Sequence, residues 1–123
     1  DRLRSRGLGD VYKRQLIDSA KDYVHRNYRS MDLGLDDTCK ELGVSNSYFS
    51  SLFKKETGSS FVEYLTDYRM DKAARMLVET DDKSYVIAQN VGYADPNYFS
   101  YVFKRKYGVS PSRYRTEYEK NKV

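Results

Sequence analysis

Across 123 residues the chain has one cysteine, one histidine, two prolines and no tryptophan. A lone cysteine, Cys39, excludes an intramolecular disulfide and suits a cytoplasmic protein. With His25 as the only histidine, no metal-ligand spacing occurs, and no glycine-rich phosphate loop is found. Neither a metal nor a cofactor is therefore expected. No apolar run approaches the ~20 residues that span a bilayer, so no membrane association is expected. No signal-peptide pattern opens the chain. Cys39 falls at a position expected to be buried, and His25 near a helix C-terminus, with no visible partner for either. Asp36-Asp37 and Asp81-Asp82 lie near expected helix starts and read as caps rather than acid–base pairs. These absences argue against an enzyme.

An excess of one charge sign is also slight. The net charge is +4, and residues 1–15 supply +3 of it through Arg2, Arg4, Arg6, Lys13 and Arg14 against Asp1 and Asp10. Bulk charge is thus a poor argument for a nucleic-acid partner. Distribution is a better one. Residues 97–115 carry Lys104, Arg105, Lys106, Arg113 and Arg115 and no acid, while Asp32, Asp36, Asp37 and Glu41 gather elsewhere. A basic face opposite an acidic one fits a polyanion.

What the sequence does have is a repeat. Tyr48-Phe49-Ser50 recurs as Tyr98-Phe99-Ser100. At the same offset Phe53-Lys54 matches Phe103-Lys104, Gly58 matches Gly108, Ser60 matches Ser110 and Tyr64 matches Tyr114. Upstream the offset is one shorter: Leu42-Gly43 matches Val91-Gly92 and Cys39 matches Ala88.

Each copy reads as helix, short turn, helix. Residues 35–42 form the first helix, which Gly43 ends by taking a left-handed conformation, and Ser45 caps a second helix over 46–57. In the second copy, 84–91 form a helix ended by Gly92; Asp95 caps the next, with Pro96 at its first position, running to Tyr107. This is the helix-turn-helix signature. Between the copies, residues 60–79 form a long helix. Phe61, Leu65 and Tyr68 are expected to face the first copy, and Met70, Ala73, Ala74 and Leu77 the second. A helix over about 12–28, with Leu16, Ala20, Tyr23 and Val24 as its apolar stripe, opens the set, and one over 111–120 closes it. The expected fold class is all-α: seven helices, no strands, and two helix-turn-helix units joined by a long linker helix. The expected division is 1–15 as an extension, 16–59 as the first unit, 60–79 as the linker helix and 80–123 as the second unit.

These segments resemble the C-terminal DNA-binding domain of the AraC/XylS family of bacterial transcription regulators. The matching residues include Leu42-Gly43-Val44-Ser45, Tyr48 through Gly58, Tyr68-Arg69, Ala73-Ala74 and Val91-Gly92-Tyr93. The strongest run is Asp95 through Ser100, then Phe103-Lys104, Tyr107 through Pro111 and Tyr114-Arg115. The wording around Asp95 is most similar to the branch that follows a response-regulator receiver domain. The resemblance implies a homeodomain-like fold and double-stranded DNA as partner. It also implies one recognition helix in each of two successive major grooves, and RNA polymerase is a candidate further partner. One departure is Cys39, where the family usually has alanine. The first fifteen residues lie outside the pattern, and Ser5 through Gln15 resembles translated adapter sequence. They are expected to be non-native, with an upstream receiver or effector domain missing; a natural basic linker is the alternative.

The helix-turn-helix geometry selects the contacts. An α-helix fits the major groove, and the N-terminal residues of the second helix reach the base edges. With Phe49, Leu52 and Phe53 inward, Asn46, Ser47, Ser50 and Ser51 face outward. With Phe99, Val102 and Phe103 inward, Asn97, Ser100 and Tyr101 do. These seven are the expected base contacts. Lys54, Lys104, Arg105 and Arg113 are the expected phosphate contacts. Tyr48 and Tyr98 read as core residues with a polar tip. A helical protein-interaction module that has lost DNA binding is the alternative, for which the plain outward serines are weak support.

Overall fold

The computed structural model describes residues 2–122, with side chains from residue 9 onward. The described residues fold into seven helices and no strand: α1 (Arg2–Asn27), α2 (Leu35–Leu42), α3 (Asn46–Thr57), α4 (Phe61–Glu79), α5 (Ser84–Asn90), α6 (Pro96–Tyr107) and α7 (Pro111–Asn121). Six of the seven match the spacing-based expectation within a residue or two. The exception is α1, which starts at Arg2 where the apolar stripe predicts a start near residue 12. No proline interrupts the added turns, and arginine and leucine are good helix formers, so two glycines costing ~1 kcal/mol each do not break them.

The punctuation works as the residue types require. The Ser45 side chain accepts from the Tyr48 N–H, Asp95 from the Asn97 N–H and Ser110 from the Arg113 N–H. Each satisfies one of the donors that a helix start leaves unpaired. The acidic pairs behave differently from expectation. Gly34 and Lys83 hold the N-cap positions of α2 and α5, and neither makes a side-chain cap bond. Asp36 and Asp37 lie within the first turn of α2, where their charge favours the helix start, and they bond to side chains instead.

The chain divides into two compact units. The first comprises residues up to Asn27 together with 33–65, and the second comprises 28–32 with 66–123. In the first, Leu16, Ala20 and Val24 of α1 are buried, as are Phe49 and Phe53 of α3 and Phe61 and Leu65 at the start of α4. The Phe49, Phe53 and Phe61 rings pack with centroids 5.4–5.6 Å apart. In the second, Met70, Ala73, Ala74 and Leu77 of α4 pack with Ile87, Ala88 and Val91 and with Phe99 and Phe103 of α6. The two faces of α4 therefore serve different cores, as the spacing suggests, with one change. Tyr68 packs against the second core, edge-on to Tyr28 at 5.3 Å. The segment 28–32 carries Tyr28 there, and periodicity within one helix does not reveal that.

Two arginines hold the second unit by backbone carbonyls. Arg69 is buried, and its guanidinium donates to the carbonyls of Tyr28 (3.0 Å) and Ser30 (2.7 Å) beside the Tyr93 ring. Burial pulls its pKa down, and those carbonyls meet the desolvated charge. Gly92 makes room for it. A Cβ there would lie 2.6 Å from the Tyr28 carbonyl oxygen and 2.8 Å from the guanidinium, and the φ of +98° suits glycine in any case. Arg115 donates to the carbonyls of Leu77 (2.8 Å) and Thr80 (3.1 Å), closing the negative end of α4. Both were counted by sequence only as basic or motif residues.

Candidate nucleic-acid interface

The outward faces of α3 and α6 carry the expected base-reading residues. Asn46, Ser47 and Ser51 are exposed on α3, as are Asn97 and Tyr101 on α6, while Ser50 and Ser100 are half-buried. Their inward neighbours Phe49, Phe53, Phe99 and Phe103 are fully buried, which fixes the roll of each helix. Ser47 and Ser51 border a shallow groove of about 430 Å³ with Tyr48, Leu52, Lys55 and Lys13.

Tyr48 and Tyr98 correct the sequence reading. They are 43% and 56% exposed, not core residues with a polar tip. Their position one residue before the buried Phe49 and Phe99 turns the ring toward solvent. On α6 the exposed rings then organise one another. Tyr98 stacks on Tyr101 with centroids 6.3 Å apart and ring planes 27° from parallel, and Tyr93 lies 6.0 Å from Tyr98. The Arg105 guanidinium sits 5.9 Å from the Tyr101 ring centre. The spacing 98, 101, 105 makes this stripe along one helix face. The spacing was legible in sequence, but the burial reading of Tyr98 hid it.

The basic tract is less free than its composition suggests. Lys106 pairs with Asp71 at 2.7 Å and Asp67 at 3.6 Å. Burial works against the Asp71 charge, but the Lys106 ammonium and the Tyr107 hydroxyl together hold its carboxyl below the ordinary range. Burial, then the hydrogen bond to Asp71, pushes the Tyr107 hydroxyl well above its usual value. Arg115 is taken up by α4, and Arg113 pairs with Glu117 at 3.0 Å. Lys54, Lys104 and Arg105 are exposed, and none of the three has an ion pair among the described residues.

In the first unit the α2 acids flank the recognition helix. The Tyr23 hydroxyl donates to Asp37 at 2.8 Å, and the Asn46 side-chain amide donates to Asp36. Sequence reasoning took both carboxylates for helix caps and gave neither a side-chain partner. His25, likewise read as partnerless, lies 2.8 Å from the Tyr64 hydroxyl through Nε2. Cys39 is buried as expected, and desolvation, aided by Asp36, raises its thiol pKa. Among the described residues no three His, Cys, Asp or Glu side chains gather to hold a metal ion, and no helix is long and apolar enough to cross a membrane.

Two capped recognition helices on matching scaffolds, with buried aromatic faces and exposed polar ones, define a paired helix-turn-helix domain. Residues 38–117 match the family described as the helix-turn-helix domain, and the chain belongs to that family, in its AraC-type form. It is 36% identical over 80 residues to the lactose operon transcription activator of Staphylococcus xylosus, covering 65% of this chain and 28% of that protein. The chain therefore spans less than a third of that relative's length. Among solved structures it is similar to the C-terminal domain of AraT, a response regulator from Geobacillus stearothermophilus. There the identity is 39% and the TM-score 0.81, over 83% of this chain and 84% of that one. The C-terminal domain of the two-component response regulator yesN from Fusobacterium nucleatum matches at 36% identity and TM-score 0.78, over 80% and 95%.

Proposed function

We propose that the chain binds double-stranded DNA in a sequence-specific way, as the DNA-reading part of a bacterial transcription regulator, and that it is a binding module rather than an enzyme. The observation that carries this reading is the pair of exposed, N-capped recognition helices in a family of this type. Asn46, Ser47, Ser50 and Ser51 would read one half-site, and Asn97, Ser100 and Tyr101 the other. Asparagine can pair with adenine through two hydrogen bonds, while serine discriminates less. Lys54, Lys104 and Arg105 would hold phosphates, and Arg113 would do so by exchanging Glu117 for one. Because each unit carries one recognition helix, one chain would fill two successive major grooves, which one DNA turn of ~34–36 Å separates. The reading places the protein in the cytoplasm, with RNA polymerase as a candidate partner and a receiver or effector domain as the candidate source of its signal. The outward aromatic stripe of α6 favours one other reading, a protein-docking helix.

A salt series of gel shifts with footprinted duplexes separates the two. Lys104→Ala should weaken binding alike on all sequences and flatten the salt slope by ~1 unit. Asn97→Ala should relax preference at a single base pair. Inserting ~5 bp between half-sites should abolish tight binding, because it turns the second groove to the far side. Absence of any salt-dependent duplex binding would overturn the reading.

A further inference from the structure

We propose that Asp36 is a positioning residue for Asn46, and that together they make the α3 half-site select adenine at one base pair. The proposal rests on the DNA-binding reading above. Asn46 opens α3 and is exposed, and its amide nitrogen donates to Asp36 Oδ1 across the turn between α2 and α3. An exposed asparagine amide has two ends of nearly equal shape, an acceptor oxygen and an NH₂ group, and can present either. A carboxylate accepts only, so it engages only the NH₂ end. Asp36 takes one of the two N–H groups and leaves the other, together with the carbonyl oxygen.

That remaining pair matches adenine, whose major-groove edge shows an acceptor, N7, beside a donor, N6–H₂. Guanine shows two acceptors, N7 and O6, and would set O6 against the fixed amide oxygen. The orientation given by Asp36 thus favours one purine over the other. The neighbouring carboxylate does a separate job, since Asp37 is held by the Tyr23 hydroxyl. The second unit lacks the arrangement. Tyr85 and Pro96 stand where the repeat would put Asp36 and Asn46, so the selection belongs to one half-site.

A rival role for Asp36 leaves a different mark. A carboxylate beside the groove repels phosphates, which weakens binding to every sequence alike. Competition binding over duplexes carrying each base pair at each position of the α3 half-site distinguishes the two. The parent should prefer adenine at one position by about 5- to 100-fold. Asp36→Ala and Asn46→Ala should each erase that preference, the double variant should erase no more, and Asp37→Asn should retain it. If Asp36→Ala instead tightens binding to all duplexes by one factor and keeps the ranking, the proposal is overturned. A parent that binds no duplex takes down the DNA-binding reading and this proposal with it. Nuclear magnetic resonance of the parent gives a check that needs no variant to fold. One Asn46 side-chain amide proton should lie downfield of its free-asparagine position and exchange slowly, and both protons at their free-asparagine positions with fast exchange would overturn the proposal.

Discussion

Around Phe53 in the first unit lie Phe49, Phe61 and Tyr64, with ring centroids 5.5–5.6 Å away. Around Phe103 in the second lie Phe99, Tyr107 and Tyr114, at 4.6–6.0 Å. Two of the three partners are the same residues of the repeat. The third changes hands: Phe61 gives way to Pro111, and Tyr107 arrives where the first unit has Thr57. The aromatic cage is kept while its members move, because a close-packed interior is sensitive to volume and shape. The outward faces answer to no such requirement. Asn46, Ser47 and Ser51 on α3 stand against Pro96, Asn97 and Tyr101 on α6, one set tied to an α2 carboxylate and the other to a tyrosine–arginine stripe. The repeat is thus one scaffold carrying two different binding faces.

The hardest test of this equivalence is to remove its centre. Phe53→Ala and Phe103→Ala should each cost roughly 3–5 kcal/mol, and by similar amounts. That is a large part of what a domain of this size has in total. Thermal melts of both variants measure it, and two melts matching the parent would break the assignment of these rings as core centres.

A smaller effect sharpens the difference between the units. Gly43 and Gly92 hold matching places after α2 and α5, both with positive φ. A Cβ at Gly43 would meet open space, whereas at Gly92 it would strike the Tyr28 carbonyl and the Arg69 guanidinium. Gly43→Ala should cost about 1–2 kcal/mol, the price of the left-handed backbone alone. Gly92→Ala should cost roughly 1–3 kcal/mol more, because packed groups must also shift. Denaturant titration of the two variants side by side decides it, and equal losses would mean that Arg69 yields freely.

The smallest effect is pH-dependent and confined to the second unit. The Asp71 carboxyl is held below its ordinary value of 3.8. The linkage then runs one way. Its contribution is present above 3.8 and is lost as pH falls through the lowered value. With Asp71 67% exposed on its side chain, the contribution should be at most ~1 kcal/mol. Asp71→Asn should melt lower than the parent near neutrality, and the gap should close as pH drops below the ordinary carboxylate range. A gap unchanged down to pH 2 would remove the Lys106 clasp as its cause.

Helix identity was legible in the chain because its signals are local. Ser45, Asp95 and Pro96 mark starts, glycines after α2, α3 and α6 mark stops, and apolar spacing gives the faces that Phe49, Phe53, Phe99 and Phe103 bury. The repeat gave the pairing of units, and with it the roll of both recognition helices. Tertiary structure decided the rest, because those matters depend on neighbours distant in sequence. It brought Leu77 and Thr80 to Arg115 and Asp71 to Lys106, turning two cations of a presumed basic face into internal fastenings, and it brought Tyr28 and Ser30 to Arg69. It also turned Tyr48 and Tyr98 to solvent, where aromatic character alone had suggested burial, and set Asp36 against Asn46. Spacing along a helix reports which side a residue occupies. Which charge meets which carbonyl or carboxylate is settled only when separate segments are brought within hydrogen-bond reach, a distance of about 3 Å that no periodicity encodes.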